Sequence, residues 1–245
     1  MNFNIVLFTN KHPKDLLEWF AYHKVHGCTK FIVYNNSEEF QNEWSLKYID
    51  TFNIYYDNFF EKAKQINAYN KFIYLYSTLD EWCFILDDDE YLVPFEPKTK
   101  VSTSFDIWNP NKEVGYKVAW KFFGSSGHVY KPDGFVFESF MWSQRGCDKH
   151  HKSMFVPKYT SKMLDPHTVE MIDKEPLRFF LPIYCAHYHV KSKQEYEIKC
   201  AQPRADTGET RDFETSFAAH DINEVFNTDV AYWGKAVREL LHSIV

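Results

Sequence analysis

Apolar residues in the first part of the chain fall in short continuous runs, separated by stretches whose apolar spacing is helical. FNIVLF (3–8) reads as a short buried strand. Pro13 sits where helices like to begin, Leu16, Leu17, Phe20 and Val25 follow at roughly helical spacing, and Gly27 closes the helix. KFIVYN (30–35) is a second strand. A polar, helix-compatible stretch over 38–49 precedes a third strand at about 52–56. A long helix from 61 to about 77 then leads into the strand WCFIL (82–86). This alternation predicts a parallel, doubly wound sheet with crossover helices, in which ligands bind beyond the carboxyl ends of the strands.

The second half has a different pattern. VGYKVAWKFF (114–123), GFVFESFMW (134–142) and KSMFVP (152–157) are aromatic, strand-like and separated by polar turns with Gly and Pro, so the sheet as a whole is expected to be mixed. Val230, Trp233, Val237, Leu240 and Leu241 form a helical stripe near the carboxyl end. ADTGETRDFET (205–215) is the best candidate for a mobile loop. No internal repeat or low-complexity linker divides the chain. The expectation is one α/β domain over 1–245, a doubly wound mixed sheet with helices on both faces.

Composition narrows the function. Of 245 residues, 44% are hydrophobic and 25% charged, ordinary for a globular protein with a core. Aromatic residues reach 19%, and Tyr and Trp suit pockets that are apolar on one side and wet on the other. A net charge of −6 argues against a nucleic-acid partner, which normally meets a basic face. Five scattered cysteines without a C-x-x-C pair point to free thiols in a reducing compartment. The opening MNFNIVLFTN is too short an apolar run for a signal peptide, and no stretch approaches the length of a membrane span. A soluble, cytoplasmic protein is the expectation.

The chemistry concentrates in WCFILDDDEYLVP (82–94), where Asp87, Asp88, Asp89 and Glu90 follow an apolar strand. Crowded carboxylates stay ionised together only beside positive charge, and hard oxygen ligands suit Mg²⁺ or Mn²⁺. If the segment is extended, Asp87 and Asp89 point the same way and Asp88 the opposite way. A solvated turn is the plain alternative. The chain has eight glycines and no G-x-G-x-x-G or G-x-x-x-x-G-K-[ST]. A bound diphosphate would therefore be neutralised by a metal and scattered side chains rather than by a backbone cradle.

Several blocks, in order, resemble the family 2-like and family 92-like glycosyltransferases: LLEWFAYHKVHGCTKFIVYNNSEE (16–39), QINAYN (65–70), the acid segment, WKFFGSSGH (120–128), KSMFVP, DPHTV (165–169) and AHYHVKSKQEYEIKCAQPRAD (186–206). The resemblance implies a GT-A-like fold with a nucleotide-sugar-binding half (1–95) and an acceptor-binding, metal-completing half (96–245). It also implies Mn²⁺ or Mg²⁺, a UDP-sugar donor, and inverting transfer of a hexose to the hydroxyl of a glycan or glycoconjugate acceptor. By that resemblance Asp87 and Asp89 form the metal set, Asp89 binding the ion and Asp87 contacting the ribose or the ion's water shell, and Asp87, Asp88 and Gln65 belong to the donor site. His187 is then a third metal ligand, with His189, of the same strand parity, as the alternative. Cys185 with the two histidines, and Cys147 with His150 and His151, lack the spacing of a structural zinc site.

Other candidates follow from position. Thr9, Asn10 and Lys11 end the first strand and Asn35 and Asn36 the second, where a base and ribose would lie; turn chemistry alone also explains them. Lys152 and Lys191 would place positive charge near a diphosphate. Trp120, Gly124, Ser125 and His128 form an expected acceptor platform, with strand core and a turn as the bland reading. A base for the acceptor hydroxyl is sought in Asp148 first, then Glu138 and Asp133. Glu18 is a possible hydrogen-bond anchor, Glu90 an inward one, and Trp19 mainly core. The competing functions are a metal-dependent phosphohydrolase and a non-catalytic sugar-binding protein.

Overall fold

The computed structural model describes residues 2–44, 46–60, 65–108, 114–173, 177–180, 182–204 and 207–244. The strands are β1 (Phe3–Thr9), β2 (Cys28–Asn35), β3 (Ile54–Asn58), β4 (Trp82–Leu86), β5 (Glu90–Pro94), β6 (Gly115–Phe122), β7 (Trp142–Ser143), β8 (His151–Phe155), β9 (Thr160–Met163), β10 (Val169–Met171), β11 (Arg178–Phe179), β12 (Ile183–His187) and β13 (Val225–Phe226). The α-helices are α1 (Leu17–Val25), α2 (Leu46–Phe52), α3 (Gln65–Leu75), α4 (Val101–Trp108), α5 (Val136–Ser139), α6 (Lys193–Ala201), α7 (Phe213–His220) and α8 (Gly234–Ile244).

One nine-stranded sheet runs in the order β3-β2-β1-β4-β8-β6-β12-β5, with β11 beside β6. Strands β1 to β4 pair in parallel. β8 is antiparallel to both β4 and β6, and β12 is parallel to β6. So β6 and β12 point the same way as β1 to β4, and six carboxyl ends meet at one edge of the sheet. The expected mixed, doubly wound α/β architecture is what the chain adopts.

Both faces are covered, which is why the strands read as unbroken apolar runs. Ile5 and Leu7 of β1 join a core with Trp19 and Phe20 of α1, Phe52 of α2, Phe105 of α4 and Val237 of α8. Val6 and Phe8 point the other way, into a core with Ala68, Tyr69 and Phe72 of α3 and with Met163 and Val169 from the β9–β10 hairpin. Phe20 is fully buried, its ring 4.9 Å from Phe31 and 5.5 Å from Phe52; truncating it to Ala would cost about 3–5 kcal/mol. Gly27 closes α1 at φ +102°, and a Cβ there would meet the Ser102 Cβ at 2.5 Å.

Local differences from the sequence reading have physical causes. GFVFESFMW is not a strand until Trp142, where β7 begins: Val136–Ser139 forms the single turn α5, whose first N–H is taken by the Glu18 carboxylate. In the 38–49 stretch the helix is described from Leu46, Ser45 lying outside the described residues. The third strand starts at Ile54 because Phe52 still belongs to α2 and Asn53 takes a left-handed conformation, φ 57°. Residues 61–64, where the next helix was expected to begin, lie outside the described residues; α3 is described from Gln65. The expected mobile loop at 205–215 ends inside α7, capped by Asp212 accepting from the Thr215 N–H, with Ala205 and Asp206 outside the described residues. The cysteines Cys28, Cys83, Cys147, Cys185 and Cys200 are free thiols. Among the described residues no helix is long and apolar enough to cross a membrane.

Candidate metal and phosphate site

The strand ends open onto a cleft of about 1020 Å³. Its floor is the turn that follows β4. The Glu90 N–H donates to the Asp87 carbonyl at 3.2 Å, so residues 87–90 turn rather than extend, and period-two parity does not apply to them. The three aspartates accordingly diverge.

Asp87 turns to Lys152, whose Nζ donates to Oδ2 at 2.7 Å, while Gln65 Nε2 donates to Oδ1 at 2.9 Å. Asp88 turns to β1 and accepts from Thr9 Oγ1 at 2.7 Å. Asp89 turns to the second half of the chain: His187 Nε2 lies 3.4 Å from Oδ1, and Lys199 Nζ of α6 donates to Oδ2 at 2.7 Å. Sheet register fixes that last meeting. His187 stands opposite Glu90 of β5, and the Tyr188 N–H donates to the Asp89 carbonyl at 2.8 Å.

Asp89, His187 and His189 present ligand atoms that all lie within 4.8 Å of one another. Burial pushes both imidazoles below their usual range, His189 strongly, which keeps them neutral and free to coordinate. Burial opposes ionisation of Asp89, but Lys199, His187 and Lys191 outweigh it and hold its carboxyl well below the usual range. Asp88 moves the other way, raised by burial and then by the Asp89 charge. One ionised carboxylate and two neutral imidazoles are a donor set suited to Mn²⁺. Asp87, expected in the metal set, is committed to Lys152 and stands outside this trio. His189, the alternative ligand, joins it together with His187.

Lys152 was expected at the donor site and is instead wholly buried beneath it. It faces Asp87 and, at 3.4 Å, Glu90, with its Nζ 5.9 Å from the Trp120 ring. Burial opposes its charge, but Asp87 and Glu90 outweigh that and raise its pKa. Glu90 points inward and accepts from the Asp87 N–H at 2.8 Å. Trp19, as expected, is core, its Nε1 donating to the Glu90 carbonyl at 2.7 Å.

Thr9, Asn10, Lys11, Asn36, Gln65, Asp87, Asp88, Trp120 and Lys191 all line the cleft. Lys191 holds a left-handed φ of 57°, a strain of about 1–2 kcal/mol for a non-glycine residue. Asn35 does not line it: its amide is used internally by Asn58 Oδ1 and the Ser37 carbonyl. Gly124, Ser125 and His128 are also absent from the wall. A Cβ at Gly124 would meet Asn223 and the Ile222 carbonyl at 2.6 Å, Ser125 bonds Asp221, and the His128 ring contacts the Ser139 carbonyl. The three candidate bases fare no better. Glu138 pairs with Arg238 of α8 at 2.6 Å, Asp133 is exposed outside the cleft, and Asp148 sits behind the rim in contact with His150.

The sequence reading missed Lys199, Arg204 and Arg211, which add cationic charge to the wall, and His167 and His220; His150, weighed only with Cys147 and His151 for zinc, also lines the cleft. The one local signal was the Ser192–Glu195 capping box, which starts α6 and so places Lys199 in its last turn. His167, its pKa pushed down to about 4 by burial and by Lys152, stands edge-on to Trp120 at 5.0 Å between ring centroids. Trp120 Nε1, His167 Nδ1 and His187 Nδ1 have no hydrogen-bond partner among the described residues.

No family model matches the chain, and no curated protein matches it. Among solved structures it is similar to HddC from Yersinia pseudotuberculosis, at 10% identity and a TM-score of 0.42, over 82% of this chain and 99% of that one. The same protein complexed with GMP-PN aligns at 9% identity and a TM-score of 0.42, over 76% and 93%. A likeness of that size assigns no activity. The glycosyltransferase resemblance is corrected accordingly: no family model supports it, and the similar structures described above are of HddC. Hexose transfer from a UDP-sugar to a glycan, and the two competing functions, are withdrawn with it.

Proposed function

We propose that the cleft is the active site of a metal-dependent, nucleotide-binding enzyme of transferase type, with Mn²⁺ or Mg²⁺ held by Asp89, His187 and His189. The observation that carries the reading is the convergence of those three ligand atoms in a cleft whose wall also holds Lys11, Lys191, Lys199, Arg204 and Arg211. Three aspartates and five cations in one cleft suit a ligand that is itself anionic and shared with a cation, which describes a nucleotide's phosphate chain. The five free thiols fit a reducing compartment.

A divalent cation at that trio supplies Lewis-acid polarisation of a phosphate oxygen. The chain's residues do the rest. Thr9 fixes Asp88 at the end of β1, and Lys152 fixes Asp87, so the floor is set before ligand arrives. The cationic wall lowers the energy of negative charge building on a phosphate oxygen as a bond to it breaks. Trp120 and Phe122, packed against the His187 ring, give the cleft an apolar surface that excludes water from part of it.

Fluorescently labelled nucleoside diphosphates, titrated with Mn²⁺ and with EDTA, test the binding half. Binding should require the metal and fail in Asp89→Ala; equal affinity in EDTA would remove the metal from the reading. Phosphorus NMR of nucleotide-linked donors, with and without Mn²⁺, tests turnover, which should be absent from Asp89→Ala.

A further inference from the structure

Lys199 stands where the two charges of that reading meet. Its Nζ is 2.7 Å from Asp89 Oδ2, 3.4 Å from His189 Nδ1 and 3.1 Å from the His189 carbonyl. The ammonium thus uses an oxygen and a ring nitrogen that belong to the metal-ligand trio. The other His189 nitrogen is already occupied by the Tyr196 hydroxyl at 3.1 Å, so Nδ1 is the atom a metal would take. A divalent ion bonded to Asp89 and His189 and an ammonium at these distances exclude one another by charge repulsion as well as by space.

We infer, on the metal-and-phosphate reading above, that Lys199 is an exchangeable counter-ion: it neutralises Asp89 until a divalent cation displaces it, and it then turns to the phosphate held in the same cleft. The side chain has the freedom for this. It is one-third exposed, lines the cleft and ends a flexible four-carbon stem in the last turn of α6. Lys152 is the contrasting case, with no exposed surface and two carboxylates around it, so it cannot exchange. The two lysines divide the acid cluster: one permanent counter-ion for Asp87 and Glu90, one removable counter-ion for Asp89.

The consequence is a sign that a simple ligand role would not give. A lysine that only contacts phosphate has no effect on metal affinity in the absence of nucleotide. A lysine that competes for Asp89 lowers it. Isothermal titration of Mn²⁺ alone into wild type, Lys199→Met and Asp89→Asn separates the cases, with circular dichroism confirming that each variant is folded. Lys199→Met should bind Mn²⁺ about tenfold more tightly than wild type, the worth of one charged hydrogen bond, and Asp89→Asn should not bind it. With Mn²⁺ saturating, GDP should bind Lys199→Met about tenfold more weakly.

Unchanged or weaker Mn²⁺ binding by Lys199→Met, with wild type and Asp89→Asn behaving as stated, would overturn the exchange and leave the metal site standing. Unchanged GDP affinity would overturn the transfer to phosphate. No Mn²⁺ binding by either wild type or Lys199→Met would overturn the metal site itself and the exchange with it.

Discussion

Lys152 Nζ lies 2.7 Å from Asp87 Oδ2 with no exposed surface of its own, so the floor of the cleft rests on a buried ion pair. Glu90, equally buried, completes the group at 3.4 Å. Removing one member of such a group leaves buried charge uncompensated, whereas replacing the whole group by apolar residues need not destabilise. Lys152→Met should therefore lower stability by about 3–5 kcal/mol, read from urea denaturation. A change below about 1 kcal/mol would mean that Asp87 and Glu90 find other partners.

The diverging aspartates make a second test. Metal affinity should fall about 100-fold or more in Asp89→Ala, while Asp87→Asn, which touches only the Lys152 and Gln65 side of the turn, should retain Mn²⁺ binding within a few-fold. Electron paramagnetic resonance of free Mn²⁺ measures both. Equal losses would restore Asp87 to the ligand set.

Glu18 carries a pH signature. Its carboxylate accepts from the Val136 N–H at 2.9 Å and from the Tyr91 hydroxyl at 3.2 Å, and burial pushes its pKa from the usual 4.5 up to about 7. A carboxyl whose folded pKa is raised contributes stability in full below pH 4.5, and that contribution is lost as pH rises through about 7. Glu18→Gln should abolish this component, becoming more stable than wild type by about 2 kcal/mol above pH 8. Denaturation midpoints at pH 5, 7 and 9 measure it; parallel pH profiles for the two proteins would assign the effect elsewhere.

The capping box at the start of α6 links local structure to the site. Ser192 Oγ accepts from the Glu195 N–H at 3.3 Å, and the Glu195 carboxylate accepts from the Ser192 N–H at 3.2 Å. Ser192→Ala should cost about 1 kcal/mol and raise hydrogen exchange along Lys193–Ala201. Exchange elsewhere in the sheet should not change; a uniform increase would mean that α6 has no stability of its own.

How far the sequence reaches depends on the range of the interaction. Strands β1, β2 and β4 were legible because both faces of each are buried, which leaves an unbroken apolar run. Their parallel pairing was legible from the alternation with helices. The acid cluster was legible as crowded carboxylates at a strand end, but the separate fates of Asp87, Asp88 and Asp89 were not. These depend on a turn that cancels strand parity and on partners 65, 79 and 110 residues away in sequence. Lys152 illustrates the same limit: a lysine in a polar context reads as solvated, and only the fold encloses it. Glu138, Asp133 and Asp148 were chosen because they follow the expected acceptor loop in sequence, and the chain carries all three outside the cleft.

Trp120 gives the cleft an optical consequence. It is the one tryptophan in the wall among the described residues, its ring 4.3 Å from that of His187 between centroids. A paramagnetic ion coordinated by His187 would sit within contact range of an indole whose emission it quenches, while diamagnetic Mg²⁺ at the same ligands would not. If the proposed site takes a metal, Trp120 would serve as a built-in fluorescent indicator of which ion has arrived, without any label being attached.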